Sequence, residues 1–198
     1  MIIMEALEAI LTRRSTRKYK ETALDKNLIE KIIEAGRYAP SGSNSQSTHF
    51  IVITDKSVLF ELTEIVKQEF AKMEVKEDTY VSLKNSINAA KSGNYMFYYG
   101  APVLIVTANR KGYGNAIADS ACALENMMIA ANALDLGSCW INQLHWLDEN
   151  DAVRKFLEEK GLKEDETITG GLILGYPDSE HPNRTPLERK GNPVTWVE

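Results

Sequence analysis

"NAIADSACALENMMIAANALD", residues 115–135, is the longest helical pattern in the chain. Ala, Cys and Met dominate it, and its charged positions are Asp119, Glu125 and Asp135. A helix that is apolar nearly all round belongs inside a protein rather than on its surface. The segment is therefore expected to be a central helix, with Gly137 as its C-terminal stop. Around it stand three strand candidates: "PVLIVTA" (102–108), "SCWI" (138–141) and "ITGGLILGYP" (168–177). The first is a short continuous apolar run, as a buried strand requires. Helices and strands interleave without a regular βαβ alternation, which favours an α+β fold over a doubly wound sheet.

Further from the centre the elements are shorter. Residues 4–12 read as a helix with Met4, Leu7, Ile10 and Leu11 on one face. Asp25 is placed to cap a second helix through Leu28, Ile29, Ile32 and Ile33, ending before Pro40. "HFIVIT" (49–54) has β-branched strand character, and Asp55 can cap a helix carrying Leu59, Leu62, Ile65 and Val66. Residues 72–100 are polar and aromatic and take no firm assignment; 149–160 reads as a surface helix. "VTWV" (194–197) alternates like an edge strand.

Bulk properties exclude several classes. The 198 residues suit one domain, 1–198. Two cysteines, Cys122 and Cys139, lack CxxC spacing, and His49, His145 and His181 are too scattered for a metal cluster. The N-terminus carries Glu5 and Glu8, unlike a signal peptide, and no apolar run reaches membrane-span length. A soluble, cytoplasmic protein is expected. With 23 Lys+Arg against 28 Asp+Glu, the net charge of −5 argues against nucleic acid as a partner.

Against that acidic total, "RRSTRKY" (13–19) concentrates positive charge. Basic residues just past a helix C-terminus favour the negative end of the dipole and are ordinarily solvated. They can equally form an anion site, with Arg13 and Arg17 offering forked donors to one phosphate and Ser15 a hydroxyl. No GxxxxGK[ST] loop is present, and "KGYGNA" (111–116) lacks the third glycine of a dinucleotide fingerprint. "PSGSNSQ" (40–46) is either a plain turn or a binding loop. Its Asn44 and Gln46 amides both donate and accept, which suits a heterocycle edge alternating C=O and N–H.

Taken in order, "RRSTRKY", "APSGSNSQSTHFIVI" (39–53), "GAPVLIV" (100–106), "ADSACALENMMIAANALDLGSCWI" (118–141), "LGYP" (174–177) and "RKGNPVTWV" (189–197) resemble the FMN-dependent nitroreductases over essentially the whole chain. The resemblance implies a central mixed, mainly antiparallel sheet flanked by helices, in an intertwined homodimer with FMN sites at the interface. Arg13, Arg14, Ser15 and Arg17 match the segment that grips the FMN phosphate and ribityl end. Pro40, Ser41, Gly42, Ser43, Asn44 and Gln46 match the loop that meets the isoalloxazine of the other subunit. Cys139, Trp140, Ile141, Asn142 and Gln143 match the strand along the flavin edge; Arg184, Arg189 and Lys190 match the C-terminal cations returning to the phosphate. One departure stands out. Where relatives supply an Asn and a Lys before the "APVLIV" strand, residues 84–99 are short and Tyr-rich, which leaves Asn88 and Asn94 without a clear role.

The implied activity is ping-pong reduction of nitroaromatics or quinones by NAD(P)H through FMN, with no catalytic side chain named because the flavin carries the hydride chemistry. Tyr95, Phe97, Tyr98 and Tyr99 are candidates to wall a stacking site above the ring, with Tyr95 and Tyr98 as the acceptor-binding pair, and core or interface packing is the alternative. Rival functions are an ene-reductase, a dehalogenase, or a non-enzymatic flavin store or sensor. Asp119 and Asn126, polar on an apolar helix, are expected to satisfy buried backbone or interface groups. The central helix and the "VTWV" tail are the expected interface material.

Overall fold

A computed structural model describes residues 5–178 and 185–198. The elements run α1 (Ala6–Thr12), α2 (Lys26–Arg37), β1 (His49–Ile53), α3 (Lys56–Lys72), α4 (Val81–Lys91), β2 (Val103–Arg110), α5 (Ala116–Ala133), β3 (Gly137–Ile141), α6 (Gln143–Trp146), α7 (Asp151–Glu158) and β4 (Glu166–Gly175). The four strands form one sheet in the order β1-β2-β4-β3. All three pairings between them are antiparallel. The parallel component of the expected mixed sheet is an isolated bridge, Ser15 to Ser138.

Both faces of the sheet are covered, which is why β2 and β4 read as continuous apolar runs rather than alternating ones. Leu104, Val106 and Ala108 of β2, with Ile168 and Ile173 of β4, meet Leu59, Leu62, Val66 and Phe70 of α3 and Leu157 of α7. Val103 and Ile105, with Leu172 and Leu174, face Leu124, Met127, Met128 and Ala131 of α5 and Ile29 and Ile32 of α2. The central-helix expectation holds: α5 packs on β2, β3, β4, α1 and α2.

Caps explain several boundaries. Asp25 accepts from Asn27 N at 2.7 Å, and Asp55 accepts from Ser57 N at 2.8 Å. Asn150 starts α7 in the same way, through Ala152 N and Val153 N. The stop of α5 differs from expectation. Asp135, at φ 60, takes the left-handed position, with Leu134 as the cap. Gly137 is instead a packing glycine, since a Cβ there would stand 2.7 Å from Thr16 Cγ2.

Three further expectations are corrected. The apolar side of α1 faces outward: Leu7, Ile10 and Leu11 are exposed while Ala9 and Thr12 are buried. Residues 194–197 form no strand. They lie in an exposed extended tail, because the sheet edges β1 and β3 are not paired with it. The unassigned 72–100 stretch contains α4 over Val81–Lys91.

Candidate active site

The basic run is pinned against the N-terminal end of β3 and the C-terminal end of β4. Thr16 N donates to Ser138 O at 2.8 Å, Tyr19 Oη donates to Thr16 O at 2.6 Å, and Lys20 N donates to Tyr176 O at 2.9 Å. Burial raises the Tyr19 phenol well above its usual range, with smaller contributions from Cys139 and Tyr99 against Arg17. The tight approach at Gly137 and at Gly175, where a Cβ would meet Tyr19 at 2.7 Å, lets the run lie flat on the sheet.

Fixed in this way, the three arginines diverge. Arg13 turns toward α5, with Nε 3.5 Å from Glu125 Oε1; that nitrogen is buried and makes no hydrogen bond. Arg14 Nη1 donates to the carbonyls of Arg13 at 2.8 Å and Leu11 at 3.3 Å, and Nη2 donates to the carbonyl of Thr185. Arg13 and Arg14 line a small pocket with Thr16 and Gly137, whereas Arg17 enters a separate cleft, its guanidinium 5.9 Å from the centre of the Tyr99 ring. Ser15 is exposed at the bridge to Ser138.

That cleft is lined by Cys139, Trp140, Ile141, Asn142 and Gln143 together with Arg17 and Tyr99, and holds an open cavity of about 160 Å³. Since β3 is an edge strand, its outer side offers backbone N–H and C=O groups that no neighbouring strand uses. Gln143 Oε1 is buried without a hydrogen-bond partner. A cation, an open strand edge and two amide side chains thus share one wall. This donor set fits a phosphorylated heterocycle such as FMN.

The 40–46 loop lies elsewhere. Asp119, buried near the start of α5, accepts from Gly42 N at 3.1 and 3.2 Å and from Tyr113 Oη at 2.9 Å. Gln46 N donates to Ser41 Oγ at 3.0 Å. Ser43, Asn44 and Gln46 all adopt positive φ, at 52, 53 and 48°, conformations uncommon outside glycine and found in ligand clamps. Gly42 admits no side chain, as a Cβ would come within 2.5 Å of Tyr113 Oη. Pro40, Ser41 and Gln46 line a pocket of their own with Phe50 and Asp119, and Asn44 borders an adjoining groove with Tyr38. Asp119 therefore satisfies buried backbone, as expected, and Asn126 does the same for Ala35 O at 3.1 Å.

The two halves are held at opposite ends of α5. Asn132 Nδ2 ties α1 down by donating to Ala9 O and Thr12 Oγ1, both at 2.9 Å. Asp119 and Asn132 are 13 positions apart on α5, about 20 Å at roughly 1.5 Å per residue. The pockets that the loop lines share no residue with the cleft.

The aromatic candidates are also separated. Tyr95 is a core residue, its ring 5.9 Å from Phe70, and burial pushes its phenol up to about 12. Tyr98 borders a different pocket beside Phe60 and Met96, and burial raises its phenol as well. The aromatic lining of the cleft is Tyr80, Tyr99, Trp140 and Trp146, with Tyr80 and Trp146 in edge contact at 6.1 Å. Tyr99 stands in the aromatic group that the sequence offers; Tyr80 and Trp146 do not. Tyr99, at φ 54 before Gly100 at φ 70, carried a signal in the "YYG" turn; Tyr80 and Trp146 carried none. Arg189 and Lys190 lie on the exposed tail, Lys190 Nζ 3.6 Å from Glu188, and Arg184 falls outside the described residues.

Comparison with known proteins agrees with this geometry. A crystal structure described as a nitroreductase with bound FMN from Bacteroides fragilis superimposes with a TM-score of 0.86 at 35% identity, covering 98% of this chain and 100% of that one. A putative NADH dehydrogenase/NAD(P)H nitroreductase of Archaeoglobus fulgidus is 29% identical over 180 residues, 89% of this chain and 87% of that protein. A 4-nitrobenzoate reductase of a Nocardioides species is 27% identical over 229 residues, 98% of this chain and 91% of that protein. The model of the nitroreductase family matches residues 10–176, a span that contains the basic run, the 40–46 loop, α5 and all four strands. With that match over most of its length, and with its fold shared by an FMN-bound relative, the chain belongs to the nitroreductase family.

Proposed function

We propose that the chain, acting as one domain over residues 1–198, is an FMN-dependent NAD(P)H oxidoreductase that reduces nitroaromatics and quinones by a ping-pong mechanism. The observation that carries the reading is the convergence of Arg17, the open edge of β3 and the Asn142 and Gln143 amides on one cleft. FMN, when bound, supplies the hydride and electron chemistry. Arg17 provides fixed positive charge where negative charge develops, and the free edge of β3 provides backbone donors and acceptors. Arg13, Arg14 and Ser15 would hold the phosphate and ribityl end, with Arg189, Lys190 or Arg184 brought in by the tail. Tyr99, Tyr80 and Trp146 narrow the cleft to flat ligands, and Tyr95 and Tyr98 support that wall from behind and beside it.

The active species in this reading is a homodimer with an FMN site at each interface. The separate linings of the loop's pockets and of the cleft support it, because a second copy can supply Pro40, Ser41, Gly42, Ser43, Asn44 and Gln46 to the first copy's cleft. Outward apolar groups also support it: Leu7, Ile10 and Leu11 of α1, Ile117 of α5, and Val194, Trp196 and Val197 of the tail. Patches of this kind mark interaction surfaces.

The visible spectrum of the purified protein tests the cofactor, with FMN released on denaturation at one per chain. Oxidation of NADH and NADPH in the presence and absence of nitrobenzene tests the activity. A flavin-bound protein without acceptor-dependent turnover would be a binder, and the enzymatic reading would fall.

A further inference from the structure

We infer that Asn142, locked by Trp140, is the donor that meets the oxygen of the electron acceptor, and that Trp140 is its positioning residue. The inference rests on the oxidoreductase reading above. Asn142 sits at the junction of β3 and α6 with φ −113° and ψ 3°, the sparsely allowed bridge region in which many active-site residues are found. Its backbone carbonyl accepts from Trp146 N at 2.9 Å. Its side-chain Oδ1 accepts from Trp140 Nε1 at 2.6 Å. An indole nitrogen can only donate, so the atom facing it has to be the amide oxygen. The amide is thereby turned with its NH₂ away from Trp140, and no described residue accepts from it. An asparagine ordinarily donates and accepts alike; this one offers the cleft donors only.

The indole is itself held. A Cβ on Gly170 would lie 3.1 Å from Trp140 Nε1 and 3.2 Å from Leu124 Cδ1. The glycine in β4 leaves the space in which the ring sits, so the lock reaches from the sheet to the cleft wall.

The free NH₂ of Asn142 suits a ligand atom that presents oxygen lone pairs. The balanced reaction for a nitroarene is ArNO₂ + NAD(P)H + H⁺ → ArNO + NAD(P)⁺ + H₂O: one N–O bond breaks, and the oxygen leaves as water. While NAD(P)H gives up its hydride, the nicotinamide goes from neutral to cationic, and the oxygen of the nicotinamide gains no negative charge. When the acceptor takes the electron pair, its nitro oxygen does. A hydrogen bond that strengthens as that charge grows lowers the barrier of the second half-reaction and leaves the first unchanged.

The test uses the FMN-loaded protein and the variants Asn142→Leu, Trp140→Phe and the double substitution. Stopped-flow absorbance separates reduction by NADH from re-oxidation by nitrobenzene. Asn142→Leu is expected to slow re-oxidation about ten- to a hundredfold, the range for a lost charge-assisted bond. Both rates are read on protein saturated with FMN, and the ratio of re-oxidation to reduction by NADH should fall by that same factor. Trp140→Phe should lower the ratio less, and adding it to Asn142→Leu should cost nothing more, because Trp140 acts only through Asn142. Without any turnover, the Trp140 indole N–H should be a downfield, slowly exchanging NMR resonance that moves upfield in Asn142→Leu. Should the leucine variant not fold, Asn142→Ala removes the same donor. Equal slowing of both half-reactions, or additive effects of the two substitutions, would each overturn the assignment. A wild-type protein that holds no FMN, or oxidises no NAD(P)H, would instead overturn the function proposed above.

Discussion

Replacing Trp196 with Ala is expected to dissociate the proposed homodimer. The side chain is 83% exposed on an extended tail whose apolar neighbours Val194 and Val197 are also exposed. A tryptophan buries roughly 150–250 Å² when covered. Taking about 200 Å² and the exposed fraction, about 170 Å² remains to be covered, or about 4 kcal/mol at ~25 cal/mol per Å². That is an upper value for one contact, and interface anchors measured by truncation cost about 2–4 kcal/mol each. A symmetric dimer contains two tails, so the substitution removes about 4–8 kcal/mol of association energy. Each 1.4 kcal/mol is tenfold, so the dimer dissociation constant should rise by about three decades or more. Sedimentation velocity across a dilution series reads this directly, with Trp196→Phe as the control that keeps most of the buried area. FMN content should fall in parallel, since each cleft would lose the loop of the other copy. An unchanged dissociation midpoint for Trp196→Ala would refute the idea that the tail is interface material.

Arg17→Ala should weaken FMN by one to two decades, the loss of a charge-assisted contact of about 1.5–3 kcal/mol. Arg13→Ala should cost less than a decade, because its guanidinium already faces Glu125; fluorescence titration giving the reverse order would show that Glu125 does not offset the Arg13 charge. Asp119→Ala leaves Gly42 N–H without its acceptor, a cost of about 1–3 kcal/mol, and should raise hydrogen exchange at Gly42 and the residues after it while exchange in β2 and β4 stays slow. Glu166 provides a pH prediction. Burial alone would raise its carboxyl, but hydrogen bonds from His49 at 2.9 Å and Lys163 N at 3.0 Å outweigh burial and hold it below the ordinary 4.5. A folded value below the unfolded one stabilises fully above about 4.5 and is lost as pH falls through the folded value. Urea midpoints measured downward from pH 7 should therefore drop on the acid side for the wild type, and more shallowly for Glu166→Gln.

The sequence by itself determined the elements whose cause is local. Asp25 and Asp55 mark helix starts because a carboxylate three residues ahead of an apolar helical period has amide donors to satisfy. β2 and β4 were legible because strands covered on both faces have no polar side to break the run. The α5 pattern announced burial through composition alone. Even the polar exceptions on α5 could be read, since Asp119 and Asn126 on an apolar helix needed buried partners, and Gly42 N and Ala35 O are those partners.

Only the tertiary structure decided where those elements point, and the physical reason is that direction depends on groups distant in sequence. Leu7, Ile10 and Leu11 look like core-facing residues, yet Ala9 and Thr12 face inward because Asn132, more than a hundred residues away, fixes the roll of α1. Three arginines in a five-residue span appear equivalent until Glu125, the carbonyl of Thr185 and the ring of Tyr99 send each a different way. Tyr95, Tyr98 and Tyr99 share one aromatic stretch, but the positive φ at Tyr99 turns it to the cleft while Phe70 holds Tyr95 in the core. The orientation of the Asn142 amide has no sequence signature at all. It follows from a single indole N–H two residues earlier, which β3 and the space above Gly170 bring to hydrogen-bonding distance.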